Sequence, residues 1–106
     1  MTQSANVEES WRAIEAMSHS IRDAASGEDW HTVVELAATR HHNLVDHFQR
    51  FPVGPGNAEF YHHQLAQMLA GERELHALAL DARKRVMRNG MVANHNRRAV
   101  GAYLAQ

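Results

Sequence analysis

The chain has no cysteine among its 106 residues and only two prolines and six glycines. Without cysteine it has no disulfide framework, thiolate zinc site or cysteine nucleophile. No apolar run approaches the roughly 20 residues that a membrane helix requires, and the N-terminus lacks the basic, then apolar, pattern of a signal peptide. We therefore expect a cytoplasmic protein with no membrane partner and little β structure.

Charge is unevenly distributed along the chain, although the formal net charge is only −1. All 12 acidic residues lie at or before Asp81. From Ala82 onward there is no acid, and the basic residues of this segment are Arg83, Lys84, Arg85, Arg88, Arg97 and Arg98. A basic patch can bind nucleic acid, but this one lacks interleaved aromatic residues and also complements the C-terminal dipole of a long helix. A solvated face or an acidic protein partner is favoured over nucleic acid.

Apolar residues recur at alternating steps of three and four, which is typical of helices that pack along one face. The stripe of the first helix is Val7, Trp11, Ile14, Ser18, Ile21 and Ala25. Residues 1–6 are small and polar and are expected to fray. Gly27 is expected at the left-handed position that follows the first helix, and residues 52–57 contain both prolines and break the chain again.

The spacing predicts helices at about residues 7–25, 30–51, 58–89 and 92–104 in a single helical domain of residues 1–106. The fold class is all-α: an antiparallel up-down-up three-helix bundle with a short C-terminal fourth helix.

The apolar stripes of the second and third helices fit each other when the chain folds back at residues 52–57. The stripes are Trp30, Val33, Ala37, Arg40, Leu44, His47 and Phe51, and Tyr61, Leu65, Met68, Glu72, Leu75, Ala79 and Ala82. Aligned antiparallel, they place Trp30 opposite Ala82 and Phe51 opposite Tyr61. Their only charged members, Arg40 and Glu72, then face each other. We expect a structural ion pair that fixes the helix register, rather than a catalytic pair or a polar client-binding spot.

Nine histidines raise the alternative of a metal site. Glu59 and His62 form one Glu-x-x-His motif, but a di-iron carboxylate centre needs two such motifs and two further inward glutamates. Neighbouring histidines on a helix also point in different directions, so a His-His doublet offers one ligand to any site. Histidines that are solvated or lie at the edge of an apolar stripe are the favoured interpretation, with no metal and no cofactor.

An enzyme of the helical chorismate mutase type would need several arginines and a lysine inside the bundle. Only Arg40 lies on a stripe, and the single lysine, Lys84, belongs to the basic segment. No phosphate loop, His-Glu-x-x-His pattern or Ser/His/Asp arrangement is present. The sequence therefore predicts a protein that is not an enzyme.

Three motifs in order give the chain a resemblance to a known family. Residues 29–40 begin Asp-Trp and end at Arg40, close to D-W-x-x-L-x-x-L-x-x-x-R. Residues 68–78, Met-Leu-Ala-Gly-Glu-Arg-Glu-Leu-His-Ala-Leu, follow I-L-x-x-D-x-x-I-x-x-L, and residues 99–103 read A-x-x-A-Y after a basic stretch. Over residues 11–104 the chain resembles the flagellar export chaperone FliT family.

The resemblance implies a cytoplasmic chaperone of the flagellar type III export system. Its client would be the C-terminal segment of the filament-cap protein, and Tyr103, in the terminal Ala-Tyr pair, would dock on the export apparatus. Apolar residues off the main stripe are the candidate client-binding site, with the C-terminal helix as a competing lid: Leu69, Leu78, Leu80, Met87 and Met91. Ordinary packing of the fourth helix against the third is the alternative explanation for these apolar residues, and it requires no client. The alternatives are a helical adaptor or homodimerisation module without a flagellar role, and a weak nucleic-acid-binding helper.

Overall fold

The computed structural model describes residues 2–89 and 94–105, with side chains described for residues 7–87 and 97–105. Within these residues the chain forms four α-helices and no strand: α1 (Thr2–Ser26), α2 (Trp30–Arg50), α3 (Ala58–Asn89) and α4 (Asn94–Leu104). The predicted all-α class is confirmed. None of the helices in the described ranges has the length and hydropathy that a membrane span requires.

The helix boundaries follow the local sequence, with one clear correction. α1 begins at Thr2 and not near Val7, because no proline or glycine in residues 2–6 interrupts helical backbone. α2 begins after Asp29, whose carboxylate accepts hydrogen bonds from the Thr32 N–H at 3.3 Å and the Thr32 hydroxyl at 2.6 Å. Such a cap satisfies a backbone donor that the first helical turn leaves free. Val92, the predicted start of the fourth helix, lies outside the described residues.

The turn between α1 and α2 places the left-handed residue one position later than the sequence suggests. Glu28 has φ 60°, whereas Gly27 does not adopt a positive φ. The Glu28 N–H donates to the Ala25 carbonyl at 3.0 Å and the Asp29 N–H to the Ala24 carbonyl at 2.9 Å. These two bonds define a Schellman motif with Glu28 at its left-handed position. The prediction for Gly27 is therefore wrong by one residue.

The helices pack partly as expected. α1 contacts α2 and α3, and α4 contacts α2 and α3. The side chains of α2 and α3 meet as predicted at Arg40 and Glu72 and at Phe51 and Tyr61. The backbones of these two helices are farther apart than a tight hairpin implies, since in the described chain no Cα atom of α2 lies within 8 Å of a Cα atom of α3. An apolar stripe identifies the face toward a shared core without fixing how close the neighbouring backbone lies.

The buried side chains form two clusters at different positions along the helices. The Trp30 core takes residues from all four helices: Ile21, Ala25, Trp30, Val33, Leu75, Ala79, Ala82, Ala99, Val100 and Tyr103. The Trp11 cluster contains residues from α1 and α3, with further aromatic and aliphatic residues at its edge: Val7, Trp11, Ile14 and Tyr61, then Leu44, Phe48, Phe51, Phe60 and Met68. One stripe residue, Leu65, is exposed.

Candidate functional site

A polar network between the two clusters joins one residue from each helix. The Arg40 guanidinium on α2 binds the Glu72 carboxylate on α3 and donates to the Ser18 hydroxyl on α1 at 3.0 Å. The Tyr103 phenol on α4 lies close enough to the Glu72 carboxylate to feel its charge. Burial and the neighbouring Glu72 carboxylate raise the pKa of Tyr103 to about 12, because both disfavour a phenolate. We call these four residues the four-helix network.

The surroundings of this network favour a structural role over a catalytic or ligand-binding role. The Arg40 side chain is 11% exposed and the Glu72 side chain 35%. The cavity beside them, lined by Ser18, Arg40, Gly71 and Glu72 among others, has a volume of about 40 Å³. That volume admits a water molecule or two and excludes a substrate of ordinary size. The pair can therefore hold helices in register, and its environment offers no room for a bound metabolite.

Tyr103 lies inside the protein, where α4 covers the Trp30 core. It is 9% exposed, and its ring centroid lies 5.7 Å from that of Trp30. Val100, one turn earlier on α4, is also buried. Tyr103 is thus inaccessible to an external partner while α4 is packed in this position.

Trp30 carries a buried polar atom that α4 leaves unsatisfied. Within the described part of the chain, the Trp30 indole N–H makes no hydrogen bond. A buried donor without an acceptor carries a desolvation cost of about 1–3 kcal/mol. The packing of α4 over Trp30 therefore carries an uncompensated desolvation cost. A different segment bound in place of α4 could remove this cost by supplying a hydrogen-bond acceptor.

The apolar residues predicted to bind a client fall on two faces of α3. Leu69 is 54% exposed and Met87 is 76% exposed, while Leu80 is partly buried. At 3.6 residues per turn these three residues share one face, which we call the Leu69 face. Leu78 follows Leu69 by nine residues, which is two and a half turns, so it lies on the opposite side of α3. Met91 lies outside the described residues.

A second polar network lies in the Trp11 cluster, and sequence reasoning missed it. His47 is 1% exposed, and its Nδ1 lies 2.8 Å from the Ser10 hydroxyl of α1. Its Nε2 lies 2.7 Å from the Tyr61 hydroxyl of α3, which donates to the Phe51 carbonyl at 2.8 Å. The available signal was that Ser10 continues the three/four spacing from Val7 to Ile14, so its hydroxyl faces the core.

The remaining histidines whose side chains the structure describes do not assemble a metal site. Within the side chains that the structure describes, no three histidine or carboxylate residues are placed to hold a metal ion. Glu59 and His62, the half-motif, are both exposed at the start of α3.

The basic segment is partly neutralised by acids from elsewhere in the chain. Arg85 binds the Glu28 carboxylate and lies 3.3 Å from Asp81. Arg83, Lys84 and Arg98 are exposed, and the side chain of Arg88 is outside the described set.

Comparisons of the chain with protein-family models, with curated proteins and with solved structures return no match.

Proposed function

We propose that the protein is a FliT-like chaperone of flagellar type III export, located in the cytoplasm, without cofactor or enzymatic activity. It binds the C-terminal segment of the filament-cap protein and delivers it to the export apparatus. The observation that carries this proposal is the combination of a partly exposed apolar face on α3 with a short helix, α4, that packs over the Trp30 core. The resemblance of residues 11–104 to that chaperone family supports the same assignment.

The helices are proposed to run up-down-up, with α4 alongside. Three side-chain pairs favour this arrangement. Ser10 meets His47 while Ser18 meets Arg40, so residue numbers rise along α1 as they fall along α2. On the other side of the protein, Arg22 of α1 lies 3.9 Å from Glu74 of α3.

α4 is proposed to act as a lid that competes with the client. It contributes Val100 and Tyr103 to the Trp30 core, but it is only 11 residues long, below the length at which an isolated helix is stable in water. Its position therefore depends on its packing. A lid of this kind lowers the apparent affinity for the client by the fraction of molecules in which it is open.

The unpaired Trp30 indole N–H would favour the client over α4 in this competition. A client side chain with a carbonyl or carboxylate oxygen at this position would accept the hydrogen bond that α4 leaves unmade. An acceptor placed there would remove the cost of the unmade hydrogen bond, and a neutral carbonyl oxygen would do so with a smaller desolvation cost than a carboxylate. Tyr103, freed by the same exchange, would become available for docking on the export apparatus.

The Leu69 face is proposed as the apolar surface that the client covers. An amphipathic helix places apolar residues every three or four positions against such a surface, and methionine adapts to different partners. The exposed Arg83 would raise the encounter rate with an acidic client more than the affinity.

The test is a titration of the client segment, by calorimetry, against three single variants. Leu69→Glu and Met87→Glu are expected to weaken binding by tenfold or more. Leu78→Glu, a matched substitution on the opposite side of α3, is expected to leave the affinity within threefold of the parent. All three sites are at the surface, so the folds should be preserved, which circular dichroism checks. Equal effects of all three variants would remove the Leu69 face from the proposal.

A homodimer is the second candidate, because the same exposed face could pack against a second copy. Sedimentation of the parent and of Met87→Glu distinguishes the two. A parent that sediments as a dimer, and a variant that sediments as a monomer, would favour the adaptor function over the chaperone.

A further inference from the structure

His47 sits where three helices meet, and both of its ring nitrogens are used. Ser10 of α1 and Tyr61 of α3 hold the ring from opposite sides, and Trp11 packs against it with ring centroids 5.2 Å apart. With 1% of its surface exposed, His47 has almost no access to water.

The hydrogen-bond chain favours one protonation state of this ring. The Tyr61 hydroxyl has one proton and gives it to the Phe51 carbonyl, so toward His47 it accepts. The His47 Nε2 must then carry a proton, and a neutral ring leaves Nδ1 as an acceptor for the Ser10 O–H. The geometry therefore matches the neutral ring protonated at Nε2.

A second proton on Nδ1 conflicts with this arrangement. Nδ1 would become a donor, and the Ser10 hydroxyl would have to rotate and accept from it. The larger cost is the new charge, which would be enclosed by the aromatic rings of the Trp11 cluster. Isolated charges in such surroundings are strongly disfavoured.

The groups around the ring offer little compensation. On α2, Asp46 favours the charged form, but it is paired with Arg50, and Arg50 opposes a positive charge on His47. On α1, Ser10 and Glu9 line the adjoining hollow, where Glu9 is exposed to solvent. On α3, the facing titratable group is the Tyr61 phenol, which is neutral.

We propose that His47 makes the packing of the bundle sensitive to acid. Protonation of Nδ1 places a charge among the aromatic rings that enclose His47, and this loosens α1 from α2 and α3 at the Trp11 cluster. The proposal does not depend on the chaperone assignment, because it rests only on the contacts of this one side chain.

The sign of the pH dependence follows from the burial of the ring. Burial, assisted by Arg50, lowers the pKa of His47 below its ordinary value. An unfolded chain takes up the proton at about pH 6.5, before the folded chain does. Folding stability supplied by the neutral ring is therefore complete above that pH and is lost as the pH falls below it.

The first test compares thermal unfolding at pH 7.5 and pH 5.0 for the parent, His47→Gln and His42→Gln. His42 is an exposed histidine on the same helix and serves as the matched control. We expect the Tm of the parent and of His42→Gln to fall by about 4 °C or more on acidification. His47→Gln, which keeps a polar side chain but cannot titrate, is expected to lose much less. An equal fall in all three proteins would overturn the proposal.

A second measurement covers the case in which His47→Gln does not fold. Nitrogen-15 NMR of the parent histidine rings reads the tautomer directly. We expect His47 protonated at Nε2 at pH 7.5, and on acidification a protonated ring together with broadened Trp11 and Tyr61 signals. The idea fails if the ring gains its second proton while those neighbouring signals stay unchanged, or if it stays neutral at pH 4 in a fully folded protein.

Discussion

Arg40 of α2 binds Glu72 of α3, although within the described chain the two helices nowhere bring their Cα atoms within 8 Å of each other. The two long side chains span the distance between α2 and α3, Ser18 of α1 accepts a hydrogen bond from Arg40, and the Tyr103 phenol of α4 lies near the Glu72 carboxylate. The pair therefore couples all four helices through side chains.

Breaking this pair is expected to destabilise the fold. Glu72→Gln leaves the Arg40 charge largely buried without a counter-charge, and a fully buried pair loses roughly 3–5 kcal/mol on losing one partner. Because Glu72 is partly exposed, we expect a smaller loss in the free energy of unfolding, about 1–3 kcal/mol. Urea denaturation of Glu72→Gln, Arg40→Ala and the double variant measures the loss and the coupling between the two sites.

The matched control is Arg22→Ala, which removes a more exposed ion pair with Glu74 at 3.9 Å. Exposed pairs contribute at most about 1 kcal/mol, so this variant should unfold close to the parent. If Glu72→Gln is no more costly than Arg22→Ala, the four-helix network does not hold the helices together.

Because the Tyr103 phenol has a raised pKa, we expect the protein to lose stability at alkaline pH. The folded protein keeps the phenolic proton up to about pH 12, whereas an unfolded tyrosine loses it near pH 10. Between these values the unfolded state binds fewer protons, so stability falls as the pH rises. Tyr103→Phe cannot ionise and should show a shallower fall in denaturant midpoint over this range.

Some alkaline loss should persist in Tyr103→Phe, because burial also raises the pKa of Tyr61. Superimposable pH profiles for Tyr103→Phe and the parent would mean that the Tyr103 phenol is not buried with α4 in solution.

In the turn after α1, we expect glycine to stabilise the protein when it replaces Glu28, and we expect Gly27 to be replaceable without loss of stability. A left-handed backbone costs a residue with a side chain roughly 1–2 kcal/mol, so Glu28→Gly should be about 1 kcal/mol more stable than Glu28→Ala. Both variants lose the ion pair with Arg85, which makes them a matched comparison.

Gly27→Ala, by contrast, should be neutral or slightly stabilising. A Cβ there would meet the Asp23 and Ala24 carbonyl oxygens at 3.6 and 3.7 Å, which are ordinary contacts, and alanine restricts the unfolded chain. Thermal unfolding distinguishes this from the sequence-based expectation, in which replacing Gly27 is the damaging change.

Sequence periodicity predicted which side chains are buried more reliably than which helices are neighbours. Trp11, Trp30 and Leu75 lie on the predicted stripes and are all buried, because burial depends on the face of a helix alone. Which helices lie next to each other depends on how all four share a core. The apolar pattern of α2 and α3 does not specify where α4 packs against them.

Among the polar contacts, the sequence predicted only the one between charged residues. Arg40 and Glu72 stood out as charged members of apolar stripes. His47 and Tyr61 lie on the predicted stripes, but their hydrogen-bond chain with Ser10 depends on the relative rotation of three helices, which the sequence does not specify. The resemblance implies that Tyr103 is a docking residue, whereas its place in the core follows from the packing of α4.

The most direct test of the proposed lid is a calorimetric titration of the C-terminal segment of the filament-cap protein against the full chain and against Val100→Glu. Val100 is 1% exposed, so a carboxylate there should expel α4 from the Trp30 core while α1, α2 and α3 remain helical by circular dichroism. The account predicts micromolar or tighter binding by the parent and at least tenfold tighter binding by the variant, as it does for a chain truncated before Met91. Absence of binding in every form would contradict the chaperone assignment, and equal binding by parent and variant would contradict the lid.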